Sequence, residues 1–286
     1  MTSRRLQGLN DRIRIQAAAS AVDAQRIRRG LAFQRLLVRL APLGLVLKGG
    51  YCLEVRLGGL ARATKDIDLV GRPALAAGPD DLLDALEPAL GADPVDDGFA
   101  FRAGVPRRLR DAGAADHAWR MTVEARVDGA LFERVTLDLV GQVAEVEGAT
   151  ERLEVPSPVA VPGYEPVAVE AVDVYQHAAE KLHAFARLYG GDRPSSRVKD
   201  LVDLTLLLDA GLITDRGRLR ERLMVVWQSR DGSSPPARLP EPPDVWAADL
   251  GRLLADLDAT PLTLDQVSSL VADLYSDALS DEGSSA

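Results

Sequence analysis

The chain has 286 residues, 47% of them hydrophobic, and a formal net charge of −9. That is enough apolar material for one elaborate core or two smaller lobes, and no stretch approaches the roughly 20 apolar residues that a membrane-spanning helix needs. Cys52 is the single cysteine, which excludes an internal disulfide framework and argues against a cysteine-based structural zinc site; the first 30 residues carry seven arginines and no apolar segment, so no export signal is expected and the expected compartment is the cytoplasm.

Charge is unevenly spread. Residues 1–40 hold nine arginines against Asp11 and Asp23, whereas residues 241–286 hold ten acids against Arg252. The basic end has two readings: it holds a polyanion, or its arginines are solvated or paired with the acidic C-terminal helices. Lysine occurs only four times among 34 basic residues, at Lys48, Lys65, Lys181 and Lys199. A chain that draws its surface charge from arginine has kept lysine where a compact ammonium differs from a planar fork.

Apolar spacing over 9–41 predicts one or two helices, with Gly30 as a possible break. Leu43 to Leu47 then reads as a buried strand that turns at Gly49-Gly50 into a helix over 50–57. Lys65 to Val70 alternates charged and apolar residues as a second strand, and Asp80 to Leu90 predicts a helix closed by Gly91. Two alternating runs, Ala118 to Val127 and Leu131 to Val140, flank Asp128-Gly129 as a hairpin. The proline-rich stretch 156–166 divides an N-terminal α/β part, 1–165, from a helical C-terminal part, 166–286. Helices are expected there at about 171–189, 198–210, 216–229, 244–257 and 263–279, with a disordered tail after Ser280.

In an extended segment, side chains two residues apart share a face, so Asp66 and Asp68 converge while Ile67 points to the core. Paired hard oxygen ligands suit Mg²⁺, and Asp138, between Leu137 and Leu139, supplies a third carboxylate if its strand is a neighbour. Such a trio serves in-line nucleotidyl transfer. Lys48-Gly49-Gly50 lies at a strand-to-helix turn, where small residues let backbone N–H groups approach a phosphate. Each residue also has a plainer reading. Lys181 fits a snorkelling surface residue on an apolar helix, Asp200 and Asp203 fit the first turn of a helix, and Lys65 fits a solvent-facing position. Arg56 and Arg62 are candidates for phosphate or RNA, and His117, His177 and His183 read as structural or surface residues.

Taken together and in order, Leu47-Lys48-Gly49-Gly50, Arg62-x-Thr64-x-Asp66-Ile67-Asp68, Ala179-Glu180-Lys181-Leu182-His183-Ala184 and Arg197-x-Lys199-Asp200-Leu201-x-Asp203-Leu204 resemble the four motifs of the AbiEii-type nucleotidyltransferase toxins. These are the toxic partners of bacterial toxin–antitoxin systems and include the mycobacterial MenT group. The resemblance covers about residues 40–210. It implies a DNA polymerase β-like nucleotidyltransferase fold, a mixed sheet with helices, followed by a helical lobe, with the nucleotide between them. It also implies that Gly49 and Gly50 form the phosphate-binding turn with Lys48, that Asp66 and Asp68 ligate Mg²⁺, and that Thr64 and Lys65 are their polar and basic neighbours. Lys181 then contacts the triphosphate, Asp200 works in catalysis, and Asp138 takes the place of the third acid.

The function so implied is Mg²⁺-dependent transfer of a nucleoside monophosphate from an NTP to an acceptor hydroxyl, at the 3′ end of a tRNA, blocking translation until a separately encoded antitoxin intervenes. The same site could instead modify a protein hydroxyl. A non-catalytic RNA- or partner-binding module with a degraded site is the reading from another class.

Overall fold

The computed structural model describes residues 3–20, 22–71, 78–109, 117–141, 146–187, 197–257 and 261–280. Ser195-Ser196, the expected helix end at 188–189 and the tail after Ser280 lie outside these. Among the described residues there are nine α-helices and eight strands, and no helix is long and apolar enough to cross a membrane. The chain divides into an α/β unit, made of Met1–Val55, Ala63–Val143 and Thr150–Ala171, and a helical unit, made of Arg56–Arg62, Ala144–Ala149 and Val172–Ala286.

In the α/β unit the N-terminal helices are α1 (Arg4–Ser20) and α2 (Ala24–Leu40). The break falls at Asp23 rather than Gly30, because the Asp23 carboxylate accepts the free backbone N–H groups of Gln25 and Arg26 and so starts a new helix. A short 3₁₀ turn, Ala41–Leu43, ends at Gly44 with φ +64, so the first strand, β1 (Val46–Lys48), is shorter than the apolar run suggests. Next come α3 (Gly49–Leu57), β2 (Asp66–Gly71) and α4 (Pro79–Gly91). Strands β3 (Phe99–Ala103) and β4 (Arg107–Arg108) precede the hairpin of β5 (Ala118–Val127) and β6 (Ala130–Gly141). Its turn residues Asp128 and Gly129 both have positive φ, 47 and 81, which matches the twist of the flanking strands. Finally β7 (Thr150–Val155) and β8 (Val167–Val172) flank the proline-rich stretch.

The sheet order is β3-β5-β6-β2-β1-β8-β7, with β4 on β5. It is mixed: β2 runs parallel to β6 and antiparallel to β1, and β1 runs parallel to β8. Leu47, Ile67, Leu69, Leu137 and Leu139 are buried on one face, which fixes the register, since a one-residue slip would bring the alternate polar residues into the core.

Much of the N-terminal arginine excess has a structural destination. Arg39 grips both oxygens of Asp97 at 2.6 Å and also reaches Asp93 and the Phe99 carbonyl, while Arg35 lies 3.4 Å from Asp97 and over the Tyr164 ring. Both arginines are buried, and burial holds the Arg35 guanidinium below its ordinary value against the pull of Asp97. The Tyr164 hydroxyl is pushed up to about 12 by burial and then by Asp97. Arg26 pairs with Glu54 at 2.6 Å and Arg5 with Asp128 at 3.3 Å.

The helical unit contains α5 (Val174–Ala186), α6 (Val198–Asp209), α7 (Arg216–Asp231), α8 (Trp246–Ala255) and α9 (Leu264–Ser280). Asp173 caps α5 by accepting from Gln176 N, Asp215 caps α7 from Arg218 N, and Gly232 closes α7 with φ +64. Leu182, Leu201, Leu204, Leu219, Leu223, Val226 and Val267 pack its core with Trp227 and Tyr275.

Candidate active site

Two groups of charged residues stand out, one in each unit. The first is a row across four adjacent strands. Register pairs Lys48 with Asp68, Asp68 with Asp138, and Asp138 with Arg120, so these four side chains share the face opposite Leu47, Ile67 and Leu137. Asp66, two residues before Asp68, lies on the same face. Its position is set locally: Thr64 Oγ1 donates to Asp66 Oδ1 at 3.0 Å, Thr64 N donates to Glu54 at 3.2 Å, and Arg29 donates to the Thr64 carbonyl at 3.1 Å. Thr64 is buried, Asp66 and Lys48 are half-buried, and Lys65 is exposed.

The glycine turn meets this row. Gly49 has φ +66, and a Cβ there would stand 2.0 Å from Asp68 Oδ2, a distance no real side chain tolerates. The residue is therefore glycine for two reasons, backbone conformation and close approach of the carboxylate. Asp138 is nearly buried, and Arg120 holds it from the neighbouring strand, Nε at 2.7 Å from one oxygen and Nη2 at 2.6 Å from the other. Arg120 Nη2 is also 3.9 Å from Asp66 Oδ2. The hydrogen bond to Asp138 holds the Arg120 guanidinium above its ordinary value, supported against burial by the charges of Asp138, Asp66 and Asp68.

The donor set of the row fits a hard divalent cation: Asp66 and Asp68 offer carboxylate oxygens from one face, beside a turn whose glycine lets the backbone approach Asp68 closely. Among the described residues no three such ligands are gathered around one point, and Asp138 is engaged by Arg120.

The second group lies where α5 meets α6. Lys181 Nζ donates to Asp203 at 2.6 Å and to Asp200 at 3.3 Å, and Arg62 grips both Asp203 oxygens at 3.0 Å. Lys181 is buried, so it is not a snorkelling surface residue. Nor do Asp200 and Asp203 merely face the helix dipole, since both are buried as its ion partners. Burial alone pulls the Lys181 ammonium down, but Asp203 and Asp200 outweigh it and raise it above the ordinary lysine value. Burial pushes Asp203 up, yet Lys181 and Arg62 bring it below the usual carboxylate range. Asp200 keeps one oxygen, Oδ2, without a hydrogen-bond donor among the described residues, with Arg197 Nη1 at 3.7 Å. It opens on a cavity of about 610 Å³ lined also by Arg62, Lys199, Asp249 and Arg252.

The third and fourth sequence motifs thus meet in space within the helical unit, and the first and second within the α/β unit. Sequence reasoning did not single out Arg120, Glu54 or Asp203 for roles, and it left Arg62 as one arginine among many. Arg62 stands in the second motif yet serves the helical unit through Asp203.

Residues 34–272 match the family described as the nucleotidyl transferase AbiEii toxin of type IV toxin–antitoxin systems. The chain belongs to this family. It is therefore a nucleotidyltransferase of the toxin class, and the family implies an NTP substrate and an antitoxin partner. No curated protein sequence matches the chain significantly. Among solved structures it is similar to MenT4, a nucleotidyltransferase toxin from Mycobacterium tuberculosis, at 19% identity and TM-score 0.49, over 90% of this chain and 92% of that one. It is similar also to an antigenic nucleotidyltransferase-like protein from Paracoccidioides brasiliensis, at 17% identity and TM-score 0.41, over 74% and 91% of the two chains. The family assignment rests on the sequence match and not on these distant likenesses.

Proposed function

We propose that the chain transfers a nucleoside monophosphate from an NTP to the terminal 3′ hydroxyl of a tRNA in a Mg²⁺-dependent reaction, and that this stops translation in the cytoplasm until a separately encoded antitoxin neutralises it. The observation that carries this reading is the placing of Asp66 and Asp68 on one sheet face against the side-chain-free turn at Gly49. A bound divalent cation would lower the charge of the triphosphate and favour the ionised acceptor oxygen there. The Gly49 and Gly50 amides and Lys48 hold phosphate oxygens, and Lys65 adds exposed positive charge beside them. Lys181 contributes charge to the triphosphate, and Asp200, with its spare buried oxygen, receives the acceptor proton. The acceptor oxygen bonds to the α-phosphorus as the bond to the β-phosphate oxygen breaks, and pyrophosphate leaves.

The test is incubation of the purified protein with each α-³²P-labelled NTP, Mg²⁺ and a cell lysate, with Asp68→Ala alongside. The expected result is RNase-sensitive label at tRNA 3′ ends with one preferred NTP, lowered at least about 100-fold in the variant. Protease-sensitive label would move the acceptor to a protein. Equal labelling by both forms would remove the assigned centre.

A further inference from the structure

Arg120 is not part of any of the four motifs, yet it stands in the carboxylate row and binds one of its members directly. Its fork takes both oxygens of Asp138, at 2.7 and 2.6 Å, and its Nη2 stands 3.9 Å from Asp66. The two residues are directly paired on adjacent strands, so the fork needs no long-range adjustment to close. The Arg120 side chain is about half exposed, 51%, whereas that of Asp138 is 9% exposed. The guanidinium therefore has solvent to swing into, and the carboxylate has not. An ion held this way competes with any divalent cation for the same oxygens.

We propose that Arg120 is a positioning residue that withholds Asp138 from the metal. With the fork closed, a divalent cation has Asp66 and Asp68 alone; Asp138 becomes a ligand when Arg120 lets go. Arg120 thereby sets both the affinity of the site and its ligand count. This rests on the reading that Asp66 and Asp68 hold the metal, and it assigns to Asp138 a conditional place where the resemblance implies a permanent one.

Binding of Mn²⁺ to the full chain, followed by electron paramagnetic resonance of the free ion and by water-proton relaxation of the bound ion, tests it without reference to turnover. Arg120→Gln should bind Mn²⁺ on the order of ten-fold more tightly, because a unit charge a few ångströms away is removed. It should also show about one fewer metal-bound water, displaced by a carboxylate oxygen. In Arg120→Gln with Asp138→Asn, both changes should revert. Arg120→Lys keeps the charge but cannot grip two oxygens at once, so it should shift both readouts in the same direction by less, and it decides the matter if the glutamine variant does not fold. Unchanged affinity and unchanged water count in both Arg120 variants would overturn the proposal while leaving the metal reading intact. A tighter site with no loss of water would overturn it too, since charge alone would then account for the gain. Failure of wild type and variants alike to bind Mn²⁺, or equal binding by Asp68→Ala, would remove the metal reading and this proposal with it.

Discussion

The two charged groups are built on opposite principles. On the sheet, Arg120, Asp138, Asp68 and Lys48 sit in a register-defined row on a face that is not packed as core, and the Arg120 and Asp66 side chains are 51% and 41% exposed. In the helical unit, Lys181 and Asp203 are enclosed, their side chains 8% and 0% exposed, and each charge is met by an opposite one. Apart from the buried Asp138, the members of the row keep their charges partly hydrated and cost the fold little, so they can exchange partners with an incoming ligand. An enclosed cluster has given up that hydration, and its members depend on one another. The sheet group is thus arranged to respond to ligands, whereas in the helical group Asp203 holds Lys181 and Arg62 in place and Asp200 alone keeps an oxygen without a hydrogen-bond donor among the described residues.

The most severe test of that contrast is Asp203→Asn. It leaves Lys181 with Asp200 alone and Arg62 without either carboxylate oxygen, so urea unfolding should show a loss of about 3–5 kcal/mol, the range for breaking a buried ion network by removing one partner. Asp66→Asn on the half-exposed face should stay within about 1 kcal/mol of wild type. Equal losses in the two variants would erase the distinction between the groups. A consequence for activity measurements is that a defect in Asp203 variants has to be separated from unfolding, whereas one in Asp66 variants does not.

Gly49→Ala sharpens the comparison from within the sheet unit, because here the exposed group has one position with no tolerance. A Cβ at φ +66 carries a strain of roughly 1–3 kcal/mol even before it meets the Asp68 carboxylate. The expected outcome is a moderate loss of stability, smaller than for Asp203→Asn, with nucleotidyl transfer lost beyond what unfolding explains, because Asp68 has to move. Retained transfer with unchanged stability would mean that the turn and the carboxylate do not need their close approach.

These elements differ in how readily they could be read from the chain. Period-two alternation exposed β2 and the β5–β6 hairpin, and Asp128-Gly129 marked the turn, because those signals are local. Strand β7 escaped notice because Thr150–Val155 is exposed along most of its length and has no alternating apolar face. Strand β8 follows a proline-rich stretch that reads as a boundary, yet Val46 and Leu47 pair with Glu170 and Ala171 across it. Asp66 and Asp68 were legible for the same reason as their strand. Arg62 with Asp203, 141 residues apart, was not, because a charge pair across the fold leaves no periodic trace and the arginine excess hides any single member; Arg120 with Asp138 was not, because the irregularity at Ala125/Arg126 shifts the hairpin register by one residue. Arg5, Arg26, Arg35 and Arg39 of the basic N-terminus do pair with acids, but with Asp128, Glu54, Asp97 and Asp93 of the α/β unit rather than with the acidic C-terminal helices that the charge distribution suggested.

The smallest expected effect also lies in the helical unit, away from its ion cluster. His183 follows Lys181 by two residues on α5, is buried, stacks edge-on to Trp227 with ring centres 4.8 Å apart, and places Nε2 2.9 Å from Asp231. Burial lowers its pKa, Asp231 opposes this, Arg230 and Arg187 add to the lowering, and the net direction is downward. The unfolded chain therefore binds a proton at His183 from about pH 6.5 down, where the folded chain still does not. Stability from this residue is present above about pH 6.5 and is lost as pH falls through that value towards the folded pKa. Urea unfolding between about pH 7 and pH 5 should show a shallow rise of stability with pH that flattens in His183→Gln. Asp203 is distinguishable by range: its depressed pKa contributes stability that is full above about pH 3.9 and lost only in stronger acid. A slope of the opposite sign near pH 6 would show that the imidazole is charged in the folded state and that Asp231, rather than burial, governs it, while a slope unaltered in the glutamine variant would assign it to other groups.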